Sequence, residues 1–438
     1  MTTSSALSVA ETIAIRPGDP LVGTVRVDGS KNAALPLIAA SAALGRLVHL
    51  GNMPQCQDVR TMLSLLQECG YSVTRAVTNP EEVVIRPVSA AGRPPELPDA
   101  ARIRASYYLV PALLASHGQA RLPWPGGCSV GERGMDLHFR VYEAFGDQVH
   151  LDGAGYQVYR AMIRPRSVEI ELPFRSRGAT LAAMLRAVID RCPLTLFQPN
   201  LSPEVTEIMA LLRAAGWGAC ADEDALDLAP PYGSGSGSLA WEVPGDKVEA
   251  VTLACAVAVT RGCAVIKGVR AADVLSAMEA LTWLGIPVQA GADTVTVQAI
   301  DTQLTGQPLR AIASLAPNGL DADFEPSLMV LALGTPGVHL FADAINPGRH
   351  GNLLPQLARL GAVIEPLSAT YCRFSGPQRL VGAEVTANDI RTGSTLIIAG
   401  LVAEGFTVVK GMAQLRRGHA ELPIKLRQLG ADITEAAV

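Results

Sequence analysis

The sequence predicts an α/β protein of two domains, each made of three copies of one unit. Two observations carry this. Six amphipathic helices each stop at a glycine, and the glycines recur at nearly constant spacing. Before each of those helices stands an apolar helix, then a turn, then a short strand. Size agrees: 438 residues suit two or three domains at about 150 residues each, with sizeable cores. At 49% hydrophobic residues the chain is too apolar for disorder.

The glycine-terminated phrases are MLSLLQECGYSV, VYEAFGDQV, IMALLRAAGWGA, AMEALTWLGIPV, LLPQLARLGAVI and IKLRQLGADI. Their stops are Gly70, Gly146, Gly216, Gly285, Gly361 and Gly430, spaced by 76, 70, 69, 76 and 69 residues. Each suits the left-handed position after a helix, where a Cβ is penalised. The preceding phrases are LIAASAALGRLVHLGNMP, LVPALLASHGQARLPW, AMLRAVIDRCPLTLFQPN, LACAVAVTRGCAVIKGV, LMVLALGTPGVHLFADA and IIAGLVAEGFTVVKGM. Their helices are apolar nearly all round, so each belongs in a domain centre. The strands that follow are bounded by Gly, Pro or Asn. The unit therefore reads strand, buried helix, strand, amphipathic helix, strand. Ordinary domain sizes group six such units as three plus three. The segment PYGSGSGS (231–238) is a flexible stretch, either a hairpin loop or a piece near the interdomain boundary. A cleft between domains is the default place for a ligand.

Composition excludes several classes. The formal net charge is -5, without a basic stripe, which argues against nucleic acid as a partner. The first residues lack a basic segment followed by an apolar one, so no signal peptide is expected. No run reaches the roughly 18 apolar residues of a membrane span, and a cytoplasmic protein is expected. The eight cysteines are scattered without zinc spacing and read as reduced core thiols, Cys128 being the exception.

Two segments suggest a site. DGSKNAALPL (28–37) places Lys31 and Asn32 at the start of the first buried helix. A lysine there opposes the helix dipole, so it is either a solvated accident or an anion ligand sharing the positive helix end. LPWPGGCSVGERGMDLHFR (122–140) forms a loop around Cys128, with Arg133 near enough to lower the thiol pKa. The alternative for Cys128 is a small buried hydrophobe. Asp246 and Glu249 read as a helix start and a structural polar contact.

GSKNAALP, RIRASYYLVPALLA, LPWPGGCSVGERGMDLH, DIRTGSTLIIAG and LRRGHAELPIKLRQLGA, in this order, resemble the enolpyruvyl transferases. The likeness is strongest to the branch acting on UDP-N-acetylglucosamine and to its nucleoside-antibiotic relatives that act on UMP. It covers almost the whole chain. The resemblance implies an inside-out α/β barrel of two domains, each with three βαβαββ units. The expected boundaries are 31–244 for one, and 1–30 with 245–438 for the other. It also implies that Lys31, Arg133, Arg391 and Arg417 bind the phosphate and carboxylate of phosphoenolpyruvate. Several cations suit a multiply charged anion, and guanidiniums pair with it bidentately. Cys128 is expected to protonate the methylene carbon and to form a covalent adduct. Asp323 is the implied general base, and Asp389 is expected near the reacting groups. Asn32 and Arg104 would contact the acceptor, and Asp136 and Leu137 the uracil. No metal and no cofactor is implied. By themselves Asp323, Arg391 and Arg417 read equally as surface residues. Arg417 is chosen over Arg416 for its Arg-Gly context. His419 stands where the family phrase has tyrosine, and is expected near the site without a catalytic part.

The acceptor side departs from the family pattern. The Lys-x-Ser-x-Gly phrase is Phe174-Arg175-Ser176-Arg177-Gly178 here, and the proline before the uracil residues is Gly134. The family's Glu-Asn-Arg-Phe is replaced within DAINPGRHGNLLP, with Arg349 as the match and His350-Gly351-Asn352 new. Arg175, Ser176, Arg177, Gly178 and Arg349 are therefore expected at a different nucleotide acceptor, with UMP slightly ahead of UDP-N-acetylglucosamine. The shikimate-3-phosphate branch lacks the Pro-Gly-Gly-Cys loop. An inactive nucleotide-binding relative is the alternative from another class. The sequence gives no oligomeric state.

Overall fold

The computed structural model describes residues 11–76, 78–87, 94–126, 131, 134–233 and 237–436. All six stop glycines take positive φ, between 83° and 105°. Each ends its helix with the same pair of backbone bonds. After Gln57–Glu68, Gly70 N donates to Gln67 O and Tyr71 N to Leu66 O. The other five repeat this pattern, down to Gly430 N on Arg427 O and Ala431 N on Leu426 O. This double bond satisfies carbonyls that a helix end would leave open.

The apolar helices lie at two centres. Lys31–Ala43, Val110–His117 and Arg177–Asp190 pack on one another. Lys247–Val259, Glu325–Leu333 and Ile390–Gly400 do the same. Every residue of the last two helices is buried. Sheets lie outside the helices, five with four strands and, among the described residues, one with three. One hydrophobic core draws on positions 33 to 243. The other draws on 13 to 27 and 248 to 433. We call these the first and second halves.

The chain crosses between halves at two points held together. Strand Val22–Arg26 pairs in parallel with Cys263–Lys267 in the second half. Strand Leu239–Glu242 pairs in parallel with Val48–Gly51 in the first. Between them Gly29 and Gly245 form an antiparallel bridge. Ser30 N donates to Pro244 O at 2.7 Å and Asp246 N to Asp28 O at 2.8 Å. Side chains are barred here: a Cβ on Gly29 would lie 1.8 Å from Asn52 O, and one on Gly245 1.7 Å from Gly268 O. The crossing sets two helix starts side by side. Ser30 caps the helix of Lys31, and Asp246 caps that of Lys247. Asp246 Oδ2 also accepts the Lys31 backbone N–H.

PYGSGSGS is not a hairpin loop; it lies in the first half, a few residues before the crossing. It joins strand Ala225–Ala229 to Leu239–Glu242, which lie in different sheets of the first half. A hairpin would pair the two strands it joins. No helix of the described residues is long and apolar enough to cross a membrane.

Candidate active site

A cavity of about 1070 Å³ opens between the halves. Its wall includes Lys31, Asn32, Arg104, Asp136, Leu137, Arg175, Ser176, Arg177, Gly178, Asp323, Arg349, Arg391 and Arg417. Asp389 lines it too. Cys128 and Arg133 lie outside the described residues. Their described neighbours are closely fitted. Gly126 N donates to Ala101 O at 3.0 Å. Gly131 has φ +106°, and a Cβ there would stand 2.9 Å from Gly348 N and Pro347 Cγ of the second half.

Three carboxylates organise the cations. Asp58, in the first turn of Gln57–Glu68, takes Lys31 Nζ at 3.2 Å and Arg417 Nε at 3.0 Å. Gln57 N donates to Arg416 O at 3.1 Å, so this corner joins the halves twice. Of the two adjacent arginines it is Arg417 that lines the cavity.

Asp323 stands at the second corner, just before the helix Glu325–Leu333. It accepts from Arg391 and Arg349 at 2.8 Å each, and from Asn32 Nδ2 at 3.4 Å. Burial alone would raise its pKa, but the guanidiniums of Arg391 and Arg349 hold it well below the usual carboxylate range. Arg349 is buried and also bonds Ala322 O and faces Asp343. Its guanidinium is thus spent largely on Asp323 and its surroundings. Asp389 caps the helix Ile390–Gly400, accepting from Arg391 N at 2.9 Å and Thr392 N at 3.0 Å.

Glu204 is the third corner. It faces Lys247 at 3.0 Å and Arg177 at 3.2 Å, and Lys247 reaches Asp321 at 2.8 Å. Burial opposes its ionisation, yet Lys247 and Arg177 hold its pKa at about 2. Burial would likewise discharge Lys247, but Asp321 and Glu204 raise its pKa.

The remaining wall is built around Arg177–Asp190. Ser176 caps that helix, and Arg175 Nη1 is tied to Pro199 O and Glu223 O. Gly178 leaves room for a histidine: a Cβ there would lie 2.6 Å from His138 Nε2. His138 is buried, its ring edge-on to Tyr107 at 4.5 Å. Neither ring nitrogen has a hydrogen-bond partner among the described residues. Burial, helped by Arg104, lowers its pKa to about 3, so the ring is neutral. Asp136, exposed, and Leu137, buried, precede it at the start of Asp136–Ala144.

Comparison with known proteins bears on what this cavity does. The model of the family described as EPSP synthase (3-phosphoshikimate 1-carboxyvinyltransferase) matches residues 15–426. The chain belongs to the enolpyruvyl transferase family. It is 34% identical to a UDP-N-acetylglucosamine 1-carboxyvinyltransferase of Zymomonas mobilis over 96% of this chain and 98% of the relative. UDP-N-acetylglucosamine 1-carboxyvinyltransferase 3 of Symbiobacterium thermophilum is 33% identical, over 96% and 97%. Among solved structures, the enolpyruvyl transferase NikO from Streptomyces tendae aligns with a TM-score of 0.83 at 25% identity, over 97% of this chain and 99% of that one. EPSP synthase from Acinetobacter baumannii shares the fold, with a TM-score of 0.77 at 18% identity. The protein is therefore an enolpyruvyl (carboxyvinyl) transferase with the two-domain inside-out barrel of its family.

Sequence reasoning missed Asp58, Glu204 and Lys247. A signal for Lys247 existed: VPGDKV (243–248) repeats the pattern of VDGSKN (27–32). Asp58 and Glu204 look like ordinary acids of a first helical turn, where the dipole favours them anyway.

Proposed function

We propose that this enolpyruvyl transferase carries the enolpyruvyl group of phosphoenolpyruvate to a hydroxyl of a uridine nucleotide, with the 3′-hydroxyl of UMP as acceptor. The observation that carries this reading is the meeting of Lys31, Arg391 and Arg417 with the carboxylate of Asp323 in one cavity between the halves. Lys31, Arg391, Arg417 and Arg133 bind the phosphate and carboxylate of phosphoenolpyruvate. Asp323 takes the proton of the acceptor hydroxyl as its oxygen bonds to C2. Cys128 gives a proton to the methylene carbon. Loss of a proton from that carbon then expels phosphate and restores the double bond. Asp323 is a weak base while two arginines hold it. An anion that drew Arg391 away would raise its basicity, which ties proton removal to the presence of phosphoenolpyruvate.

The acceptor is read from the other wall. Asp136 and Leu137 hold the uracil, and Asn32 and Arg104 touch the acceptor. Arg175, Ser176, Arg177 and Gly178 form the phosphate end, with Arg349 behind Asp323. The loss of the family lysine at Phe174 and the altered loop before Arg349 support a smaller acceptor than UDP-N-acetylglucosamine. Residues 31–244, and 1–30 with 245–438, act as two bodies that close and exclude water.

The second reading, UDP-N-acetylglucosamine as acceptor, is supported by the full-length identity to enzymes of that name. One assay separates them. Phosphate release from phosphoenolpyruvate is measured with UMP, UDP-N-acetylglucosamine or shikimate 3-phosphate. Release with UMP is expected. Release with UDP-N-acetylglucosamine alone overturns the UMP assignment, and release with none points to an inactive relative.

A further inference from the structure

His419 occupies the position where the family phrase has a tyrosine, and it is 2% exposed. Its Nε2 lies 3.1 Å from Arg391 Nη1, and its Nδ1 lies 3.0 Å from Ser394 Oγ. A guanidinium nitrogen only donates, so Nε2 must carry the lone pair. The ring proton is then on Nδ1 and is donated to Ser394 Oγ. The Ser394 hydroxyl passes its own proton to Ile390 O, at 3.1 Å. Every proton in the chain is thereby placed. At its far end the other terminal nitrogen of Arg391, Nη2, reaches Asp323 at 2.8 Å.

We propose that His419 is a positioning residue that holds Arg391 through a neutral acceptor, leaving the guanidinium its full positive charge for the anionic substrate. A carboxylate in the same place would fix the guanidinium equally well but cancel its charge. The surroundings keep the ring neutral. Burial comes first, and Arg391, Lys31 and Lys425 oppose a further cation there; Asp323 favours one, and Asp246 stands 4.0 Å from Nε2, but they do not outweigh the rest. Protonation would set two donors face to face and break the bond to Arg391.

This rests on the reading that Arg391 binds phosphoenolpyruvate, and the test separates the two ideas. In the full-length enzyme, ring 15N NMR should show His419 protonated at Nδ1 and bare at Nε2, unchanged from pH 8.5 to 5.5. The opposite tautomer, or titration in that range, overturns the proposal. His419→Phe should raise the KM for phosphoenolpyruvate by about 10- to 100-fold, the worth of a hydrogen bond to a charged group. The acceptor KM should hardly move. His419→Gln, which accepts through Oε1 and donates through Nε2, should recover most of that loss. His419→Glu should keep the fold but not the recovery, because its charge cancels that of Arg391. Equal kinetics for the Phe and Gln variants, differing only in melting temperature, reduce His419 to a packing residue and overturn the proposal. Arg391→Gln is the control. If it leaves the KM for phosphoenolpyruvate unchanged, the assignment of Arg391 fails. The tautomer measurement then still decides the hydrogen-bond chain.

Discussion

The helices that begin at Lys31 and Lys247 start from nearly the same phrase, and they end in different electrostatic company. Each lysine follows a capping residue, Ser30 or Asp246, at one of the two crossings between the halves. Among the described residues, Lys31 shares Asp58 with Arg417, so two cations meet one carboxylate. Lys247 sits between Glu204 and Asp321, with Arg177 beyond, so charge there is balanced two against two. Local sequence puts a lysine at a helix start in both places. The carboxylates brought in by other units decide whether it is left with charge to offer a substrate or acts as a strut.

The comparison can be broken most directly by removing each lysine. Lys247→Ala leaves Glu204 buried with Arg177 alone, and breaking a buried pair costs about 3–5 kcal/mol. Urea unfolding should show that loss, with the KM for phosphoenolpyruvate little changed. Lys31→Ala should do the reverse. Its kcat/KM for phosphoenolpyruvate should fall by about 100-fold, roughly 2.7 kcal/mol of transition-state binding, with a smaller loss of stability because Arg417 still faces Asp58. If both variants lose the same amount of kcat/KM, the two helix starts are functionally alike and the contrast fails.

What the sequence revealed follows the same division. The six stop glycines were legible because a positive φ is a local demand that few other residues meet. The central helices were legible because a helix apolar on every side has nowhere else to go. The exchange of Val22–Arg26 and Leu239–Glu242 between halves left no such mark, since any β-rich strand could fill either slot. Arg391, Arg417 and Asp323 were singled out by resemblance, and the structure gathers them in one cavity. Asp58 and Glu204 escaped because an acid in a first helical turn already has a sufficient local reason to be there. Their cations arrive from distant segments.

A smaller effect compares the two ends of the cavity by pH. His138 on one wall and His419 beside Arg391 are both buried and neutral. An unfolded histidine titrates near 6.5. Between that value and about 3, where burial puts His138, the unfolded chain binds more protons than the folded one. The stability that these neutral rings contribute is therefore complete above pH 6.5 and declines as pH falls below it, while buried Glu249 and Glu325, whose pKa values are raised, act in the opposite direction. By pH 5 the His138 ring should have cost about 2 kcal/mol, and His419 acts in the same direction. Urea midpoints at pH 7 and pH 5 measure this. His138→Phe should remove the destabilisation that His138 contributes between pH 7 and pH 5, and an unchanged difference between the two midpoints would show that His138 is charged in the folded protein.

The smallest expected effect concerns how closely the halves must approach. Gly131, three residues beyond Cys128, lies against Gly348 and Pro347 of the second half with no room for a Cβ. Gly131→Ala should therefore hold the segment beside Cys128 away from the second half. It also places a side chain at φ +106°, a strain of about 1–2 kcal/mol. Strain alone does not address closure, so a matched control is needed. Gly405 has φ +87° and nothing within 4 Å of its added Cβ. Gly405→Ala should lose comparable stability and keep its kcat. Gly131→Ala should lose about 10-fold in kcat, since a misplacement near 1 Å is enough to slow a reaction held in a near-attack geometry. Equal kcat for the two variants would mean that contact between Gly131 and the second half is incidental to turnover, and that alignment of the reacting groups is achieved by the Asp58 and Asp323 corners alone.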